Sequence, residues 1–238
     1  MTTHFPFTDS YSTALLQEGM MGPNAMRIME ELTARLEIQP GMRILDLGCG
    51  KGLSSILLAE KYAATVFAAD LWISPTENAQ RFAGLKLEKQ IFPLLVDATQ
   101  PLPFAEGYFD LIVSVDAYQY FGGNDVMLGK LLPYLKPGGQ IAVAVPGFIG
   151  DYSPENLPDI VKPFWTPEWY FYSCAWWRAL WLKESGLQHF SLREMDCCQQ
   201  AWDEFMLCPM AQETMVPIMD AGAGRYFNVI ALSGRRPQ

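Results

Sequence analysis

The glycine-rich segment 46–52 is the part of the sequence whose residue types and spacing point most clearly to chemistry. It reads Asp-Leu-Gly-Cys-Gly-Lys-Gly, ends a short apolar run that begins at Arg43, and precedes a helical pattern at 53–62. Glycines let the backbone turn tightly and let a ligand approach without a Cβ in its way, and a helix start offers free N–H groups. The segment predicts a small-molecule site at a strand–helix junction.

Two common phosphate-binding patterns do not fit this segment. A dinucleotide fingerprint needs a glycine or alanine where Leu53 stands, and a phosphate loop needs a serine or threonine where Gly52 follows Lys51. The pattern that remains is D-x-G-x-G-x-G. A turn with a purely structural role is the alternative interpretation.

Acidic residues also follow the next predicted strands. Asp70, Asp97 and Asp116 each stand at or just beyond the end of an apolar run. Ligands of open α/β sheets bind at the carboxyl ends of the strands, so these side chains and Asp46 are expected at one edge of the sheet. A carboxylate there can accept hydrogen bonds from both hydroxyls of a ribose. Each aspartate has the alternative role of capping a helix or forming a turn, and Asp46 that of holding the loop through backbone N–H groups.

The elements that must position these residues alternate between strand and helix. Strands are predicted at 43–47, 65–69, 91–96, 108–115, 140–145, 187–195 and 226–232, and helices within 11–36, 53–62, 77–87, 125–135, 174–184 and 199–222. Such alternation predicts an α/β fold with a doubly wound, mostly parallel sheet covered on both faces.

The segment 46–52, the strand-end aspartates and the turn Leu135-Lys136-Pro137-Gly138-Gly139 together resemble motifs of the class I, Rossmann-like S-adenosylmethionine-dependent methyltransferases. The resemblance covers about residues 41–146. It implies a seven-stranded sheet with an antiparallel last strand, N-terminal helices and a cap insertion. It also implies S-adenosyl-L-methionine as cofactor, bound by Asp46, Gly48, Cys49, Gly50, Gly52, Asp70, Leu71, Asp97, Ala98 and Asp116.

One domain is expected for the 238 residues. Within it we distinguish an N-terminal helical cap at 1–40, a cofactor-binding core at 41–146, and a cap segment with the C-terminal strands at 147–238.

The resemblance implies transfer of a methyl group to a small-molecule acceptor by in-line displacement. The cofactor is already activated, so the protein mainly aligns the acceptor and excludes water, and needs a base only for a protonated acceptor. Asp116 and Tyr118 are the candidate catalytic residues near the methyl group. The alternatives are that Asp116 caps the following segment and that Tyr118 is a packed core ring.

The acceptor is expected to meet the variable parts of the chain, residues 1–36 and 147–181, over the carboxyl edge of the sheet. Tyr11, Trp165 and Tyr172 are the candidate substrate-binding rings, since aromatic walls suit a sulfonium or an amine. Alternatively, the many aromatic side chains of 147–181 pad the flank of the sheet, as the spacing of Trp177 and Trp181 favours.

Two other functions stay open at this point. Cys174, Cys197, Cys198 and Cys208 could bind arsenite or another metalloid as thiolates, as in a cysteine-using branch of this fold. Their spacing matches no zinc pattern, and no metal site is predicted. The chain could also bind the cofactor as a non-catalytic regulatory module.

Composition excludes several classes of partner. A formal net charge of −9, without a Lys/Arg run, argues against nucleic acid. No stretch reaches the about 18 apolar residues of a membrane span, and the first residues lack the features of a signal peptide. With five cysteines, an odd number, a cytoplasmic protein with reduced thiols is expected, either a monomer or a homodimer.

Overall fold

The computed structural model describes residues 4–153, 155–184 and 186–238. Its strands form one sheet. They are β1 (Arg43–Leu47), β2 (Thr65–Asp70), β3 (Ile91–Leu95), β4 (Phe109–Val115), β5 (Leu135–Phe148), β6 (Tyr172–Ser173), β7 (Gln188–Glu194) and β8 (Phe227–Arg235).

Helices fill most of the chain between the strands. They are α1 (Thr13–Gly19), α2 (Ala25–Thr33), α3 (Leu53–Tyr62), α4 (Pro75–Gly84), α5 (Gln119–Gly122), α6 (Met127–Leu131), α7 (Cys174–Trp181), α8 (Cys198–Met206), α9 (Pro209–Thr214) and α10 (Val216–Asp220). Among the described residues, no helix has both the length and the apolar character that crossing a membrane requires.

The order of the strands across the sheet is β3-β2-β1-β4-β5-β8-β7. Strands β1 to β5 pair in parallel, whereas β8 lies between β5 and β7 and is antiparallel to both. The two-residue strand β6 adds to the end of β5 in parallel. This arrangement confirms the predicted α/β fold with an antiparallel last strand.

The central strands are apolar because both faces of the sheet are covered. On one face, residues of α2, α3 and α8 such as Met29 and Leu57 pack against the sheet. On the other face, Met127 of α6 and Trp177 and Trp181 of α7 form a second buried cluster. The predicted helix 125–135 is shorter than expected and continues as a 3₁₀ turn at Leu132–Tyr134, because Pro133 has no N–H to donate.

Helix α2 fixes the segment that precedes it. The Glu30 carboxylate accepts hydrogen bonds from the backbone and hydroxyl of Thr8 at 2.8 and 2.7 Å, and buried Arg27 pairs with Asp9 at 2.9 Å and with Glu204. The side chain of Asn24 caps the helix by accepting from the N–H of Met26 at 3.0 Å. These contacts fix Thr8 and Asp9 against α2 and define where α2 begins.

A third apolar cluster contains most of the predicted aromatic cap. Trp165, Phe171 and neighbouring rings pack around Phe148, Ile218 and Phe227, beyond the end of β5. The rings of Phe171 and Phe227 have centroids 5.5 Å apart. These rings of the 147–181 segment therefore pack against α10 and β8.

Candidate functional site

A cavity of about 310 Å³ opens at the carboxyl ends of β1, β2, β3 and β4. It is lined by residues within 19–25, 47–54, 70–72, 96–99 and 115–121. The position is the one that the topology of an open α/β sheet favours for a ligand.

The glycine loop gives this cavity one wall of bare backbone. Gly48, Gly50 and Gly52 all have positive φ angles, of 77°, 53° and 88°. Gly50 faces the cavity, where an added Cβ would meet only the Sδ of Met21, at 3.3 Å. Gly52 does not line the cavity, and a Cβ there would collide with the ring of Phe82 at 2.5 Å, so its role is to let helix α4 approach.

Asp70 joins the loop to the end of β2. Its Oδ2 accepts from the N–H of Gly50 at 2.7 Å, and its Oδ1 accepts from the N–H groups of Trp72 and Ile73 at 2.8 and 2.9 Å. The carboxylate therefore forms the turn that was its alternative interpretation. It also lines the cavity and keeps acceptor capacity, because Oδ2 accepts one hydrogen bond and has a second lone pair.

Asp97 and Asp46 occupy contrasting positions. Asp97 lines the cavity with Ala98, and hydrogen bonds from the hydroxyl and N–H of Thr99 lower the pKa of its carboxyl. Asp46 is buried and does not line the cavity; its Oδ2 accepts from the hydroxyls of Ser54 and Ser55 at 2.6 Å. Burial raises the pKa of Asp46 to about 6. Asp46 thus anchors α3 through serine hydroxyls, not through the loop N–H groups that its sequence position suggested.

Asp116 lies at the cavity end of β4 in the left-handed region, with φ 52°. Its Oδ1 accepts from the Nε2 of Gln119 at 3.1 Å, and within the described residues Oδ2 has no hydrogen-bond partner. Burial raises the pKa of Asp116 to about 7. A carboxyl with one free oxygen and a pKa near neutrality can exchange a proton with a ligand.

Tyr118 points away from the cavity. Its side chain is 1% exposed, packs against Phe121, Trp177 and Trp181, and has a hydroxyl without a partner among the described residues. Burial raises the pKa of this hydroxyl, so it stays protonated at neutral pH and cannot act as a base. The packed-ring alternative describes its position, while Tyr120, two residues further, lines the cavity.

None of the three rings predicted to bind the acceptor lines this cavity. Tyr11 donates to Glu60 on α3, Trp165 lies in the third apolar cluster, and Tyr172 stacks on Trp176 with centroids 3.7 Å apart. The geometry gives no support to an acceptor-binding role for these residues, and the padding alternative fits their positions.

Several lining residues were not singled out by the sequence. Met21, Gly22 and Pro23 reach the cavity from the N-terminal segment, as the broad prediction for 1–36 anticipated without naming them. Trp72 and Tyr120 lie only two residues beyond Asp70 and Tyr118. Their proximity to predicted strand ends was the signal available, but which side chain of a turn faces a cavity depends on the backbone path.

The arrangement of the cysteines bears on the metalloid alternative. No group of three or more potential ligands occurs among the described residues. Burial raises the pKa of each thiol, to about 11 for Cys174 and about 12 for Cys198, so the thiolate that a soft metal needs is disfavoured. The alternative of a cysteine-using metalloid enzyme has no support in this arrangement.

Residues 44–139 match a methyltransferase domain family. Over 119 residues the chain is 34% identical to methyltransferase GfsG of Streptomyces halstedii, covering 50% of this chain and 42% of that protein. It is 36% identical over 128 residues to the 2-methyl-6-phytyl-1,4-hydroquinone methyltransferase of Synechocystis, covering 54% and 37% of the two chains. The matched part of the chain thus spans less than half of either relative.

The fold is shared with solved structures at lower identity. A phosphoethanolamine N-methyltransferase 2 from Haemonchus contortus, solved with S-adenosyl-L-methionine, superposes with a TM-score of 0.74 at 18% identity, covering 100% of this chain and 61% of that one. Residues 44–139 of the chain are therefore similar to a methyltransferase domain, in line with the resemblance carried by the glycine loop and the strand-end aspartates, and the chain shares its fold with solved methyltransferase structures.

Proposed function

We propose that the protein binds S-adenosyl-L-methionine in the cavity at the carboxyl edge of the sheet and transfers its methyl group to a small organic acceptor. The observation that carries this proposal is the convergence of an open glycine loop with Asp70, Asp97 and Asp116 around one cavity of about 310 Å³.

The residues present fit the cofactor. Because Gly50 has no side chain, the cavity stays open between the loop and Met21, and a larger residue would narrow it there. The lining carboxylates suit a molecule with a cationic sulfur and an ammonium group, because opposite charges attract more strongly in a partly desolvated cavity. In the proposed assignment, the loop at 48–50 holds the amino-acid part, Asp70 the ribose, and Asp97 with Ala98 the adenine.

When bound, the cofactor supplies an electrophilic methyl group that needs no activation by the protein. The remaining task is to orient the acceptor and to remove its proton where it carries one. Asp116 is the side chain suited to the second task, because its free Oδ2 belongs to a carboxyl with a pKa of about 7. The acceptor atom would gain the methyl group and lose a proton to this oxygen. Tyr118 has no part in this proposal.

The proposal places the protein in the cytoplasm. All five cysteines are free thiols, which fits a reducing compartment. Fractionation of the producing cells would test the location, and light scattering would decide between the monomer and the homodimer.

Calorimetry with S-adenosylhomocysteine tests the core of the proposal. We expect one site per chain and no binding of NADH, since the loop departs from the dinucleotide fingerprint at Leu53. Binding of NADH without S-adenosylhomocysteine would refute the proposed cofactor. Incubation of a metabolite extract with methyl-labelled cofactor would then show whether label is transferred to a small molecule, as an enzyme requires and a regulatory module does not.

A further inference from the structure

Apolar side chains surround the mouth of the cavity and are unusually exposed. Trp72 is 66% exposed and Tyr120 is 46% exposed, and Met21 and Leu71 beside them are exposed as well. All four line the cavity. Large apolar side chains that remain in water around a concave site mark a surface that a ligand covers.

The aromatic side chains at the mouth come from three separate segments. Trp72 follows β2 and Tyr120 belongs to α5, and both line the cavity, whereas Tyr170 precedes β6 and packs against Tyr120 without lining the cavity; we name these three residues the mouth rings. Ring centroids of Trp72 and Tyr120 are 5.2 Å apart, and those of Tyr120 and Tyr170 are 5.9 Å apart. Tyr170 has a φ of 52°, a conformation that a tyrosine adopts only where its surroundings hold it.

The volume of the cavity indicates where each of the two ligands of a methyl transfer, the cofactor and the acceptor, can bind. At about 310 Å³, it lies at the lower end of the about 300–1,000 Å³ that is typical of small-molecule sites. A nucleoside joined to an amino acid would use most of this space. The acceptor is therefore left with the mouth, where the exposed rings of Trp72 and Tyr120 line the same cavity as Asp116.

The charges around the cavity argue against an anionic acceptor. Its charged lining residues are Asp70, Asp97, Asp116 and Lys51. Three of these side chains are acidic and one is basic, and the Nζ of Lys51 directs one of its three donors to the backbone oxygen of Glu18 at 2.9 Å. A phosphate or carboxylate at the mouth would meet three aspartates and one lysine, and no arginine is among the described lining residues to bind it through two hydrogen bonds.

We propose that the mouth rings form the acceptor subsite, and that the acceptor is an uncharged molecule with a flat, apolar body and a hydroxyl directed to Asp116, as in a phenol. The aliphatic side chains of Met21 and Leu71 complete an apolar wall, which suits a flat ring better than it suits a small cation. This inference rests on the proposed function, since it assumes that the cofactor fills the cavity.

Three naphthalene probes that differ only in charge test the inference. Calorimetry is carried out on protein saturated with S-adenosylhomocysteine, with 2-naphthol, 2-naphthyl phosphate and the protonated amine 2-naphthylmethylamine. We expect 2-naphthol to bind at least about tenfold more tightly than the phosphate and the amine. Trp72→Ala and Tyr120→Ala should each weaken 2-naphthol by about tenfold. Phe92→Ala removes a comparably exposed ring, 41% exposed, that does not line the cavity, and should leave the affinity unchanged.

The outcomes distinguish this inference from the proposed function. Absence of S-adenosylhomocysteine binding in the unmodified protein would overturn the proposed function. Normal S-adenosylhomocysteine binding with tighter binding of the phosphate or the amine would overturn the uncharged acceptor alone. Equal 2-naphthol affinity in the Trp72, Tyr120 and Phe92 variants would show that the mouth rings do not bind it. All three substitutions remove exposed side chains, so the variants are expected to fold. Circular dichroism verifies the fold of each variant before titration.

Discussion

Two groups of aromatic rings in this protein have opposite surroundings. The mouth rings are exposed, and two of them, Trp72 and Tyr120, line a cavity with aspartates while Tyr170 packs against Tyr120. Tyr118, Trp177 and Trp181, here named the flank rings, are almost fully buried against the sheet. Tyr118 and Tyr120 are separated by one residue, yet each belongs to a different group.

The polar atoms of the two groups show what each is built for. In the flank rings, the hydroxyl of Tyr118 and the Nε1 atoms of Trp177 and Trp181 lack partners within the described part of the chain. Such a cluster stabilises the fold by burying apolar surface, and its unpaired hydroxyl and N–H groups add little to that stability. The mouth rings bury less surface and leave their faces to a ligand. Stability and binding are therefore expected to respond to different aromatic residues.

The largest predicted effect is a loss of folding stability when a flank ring is removed. Trp177→Ala should lower the free energy of unfolding by about 3–5 kcal/mol, because it leaves a cavity in a fully packed cluster. Urea titration measures this loss, and the affinity of the folded fraction for S-adenosylhomocysteine should not change. Leu182→Ala, at an exposed position just after α7, should cost less than about 0.5 kcal/mol. A small effect of Trp177→Ala would mean that the flank rings do not support the fold.

On the cavity side, Gly50→Val should abolish binding of S-adenosylhomocysteine. The added side chain would narrow the cavity beside Met21, and a branched residue at φ 53° is strained by about 1–3 kcal/mol. Gly107→Val is the matched control: its φ is 64°, but an added Cβ would meet no atom within 4 Å. Calorimetry should show full affinity in the control. Retained binding in Gly50→Val would place the ligand elsewhere.

Substitutions of Asp70 and Asp97 distinguish a role in stability from a role in ligand binding among the residues of the cavity. Asp70→Ala should lower both the free energy of unfolding, by about 1–3 kcal/mol, and the affinity for S-adenosylhomocysteine, because it leaves the N–H groups of Gly50, Trp72 and Ile73 without their acceptor. Asp97→Ala should lower the affinity alone, since within the described part of the chain its carboxylate accepts hydrogen bonds only from Thr99. Denaturation measures the free energy of unfolding of each variant, and calorimetry measures its affinity for S-adenosylhomocysteine. Equal stability of the Asp70 variant and the unmodified protein would restrict Asp70 to ligand binding.

The smallest predicted effect is a pH dependence at Asp116. Its folded-state pKa of about 7 lies above the ordinary value of 3.8, so the folded protein holds this proton more tightly than the unfolded chain. The contribution of Asp116 to stability is therefore largest at low pH and is lost as the pH rises through about 7. Asp116→Asn should raise the melting temperature relative to the unmodified protein more at about pH 8 than at about pH 5.

Asp125→Asn, at an exposed turn, is the control for Asp116 and should give the same small difference at both pH values. If Asp116 is the base, turnover of the unmodified protein with a phenolic acceptor should also rise through about pH 7. A melting-temperature difference that is independent of pH would contradict the raised pKa.

Local patterns made the fold and the loop predictable from the sequence. Strand β1 and helix α3 have the predicted bounds, because apolar runs and glycine punctuation are properties of adjacent residues. The same applies to Gly48, Gly50, Asp70 and Asp97, which line the cavity because parallel strands bring their carboxyl ends to one edge. The roles of these residues toward a cofactor stay predictions.

The acceptor side was decided by the tertiary structure. Composition alone drew attention to Trp165 and Tyr172, but the third apolar cluster and the stacking on Trp176 occupy these rings. Whether Tyr118 or Tyr120 faces the cavity depends on the backbone turn at Asp116, whose φ of 52° no residue pattern indicated. A sequence specifies which side chains are apolar, whereas only packing decides which of them remain uncovered, because burial is assigned by contacts between distant segments.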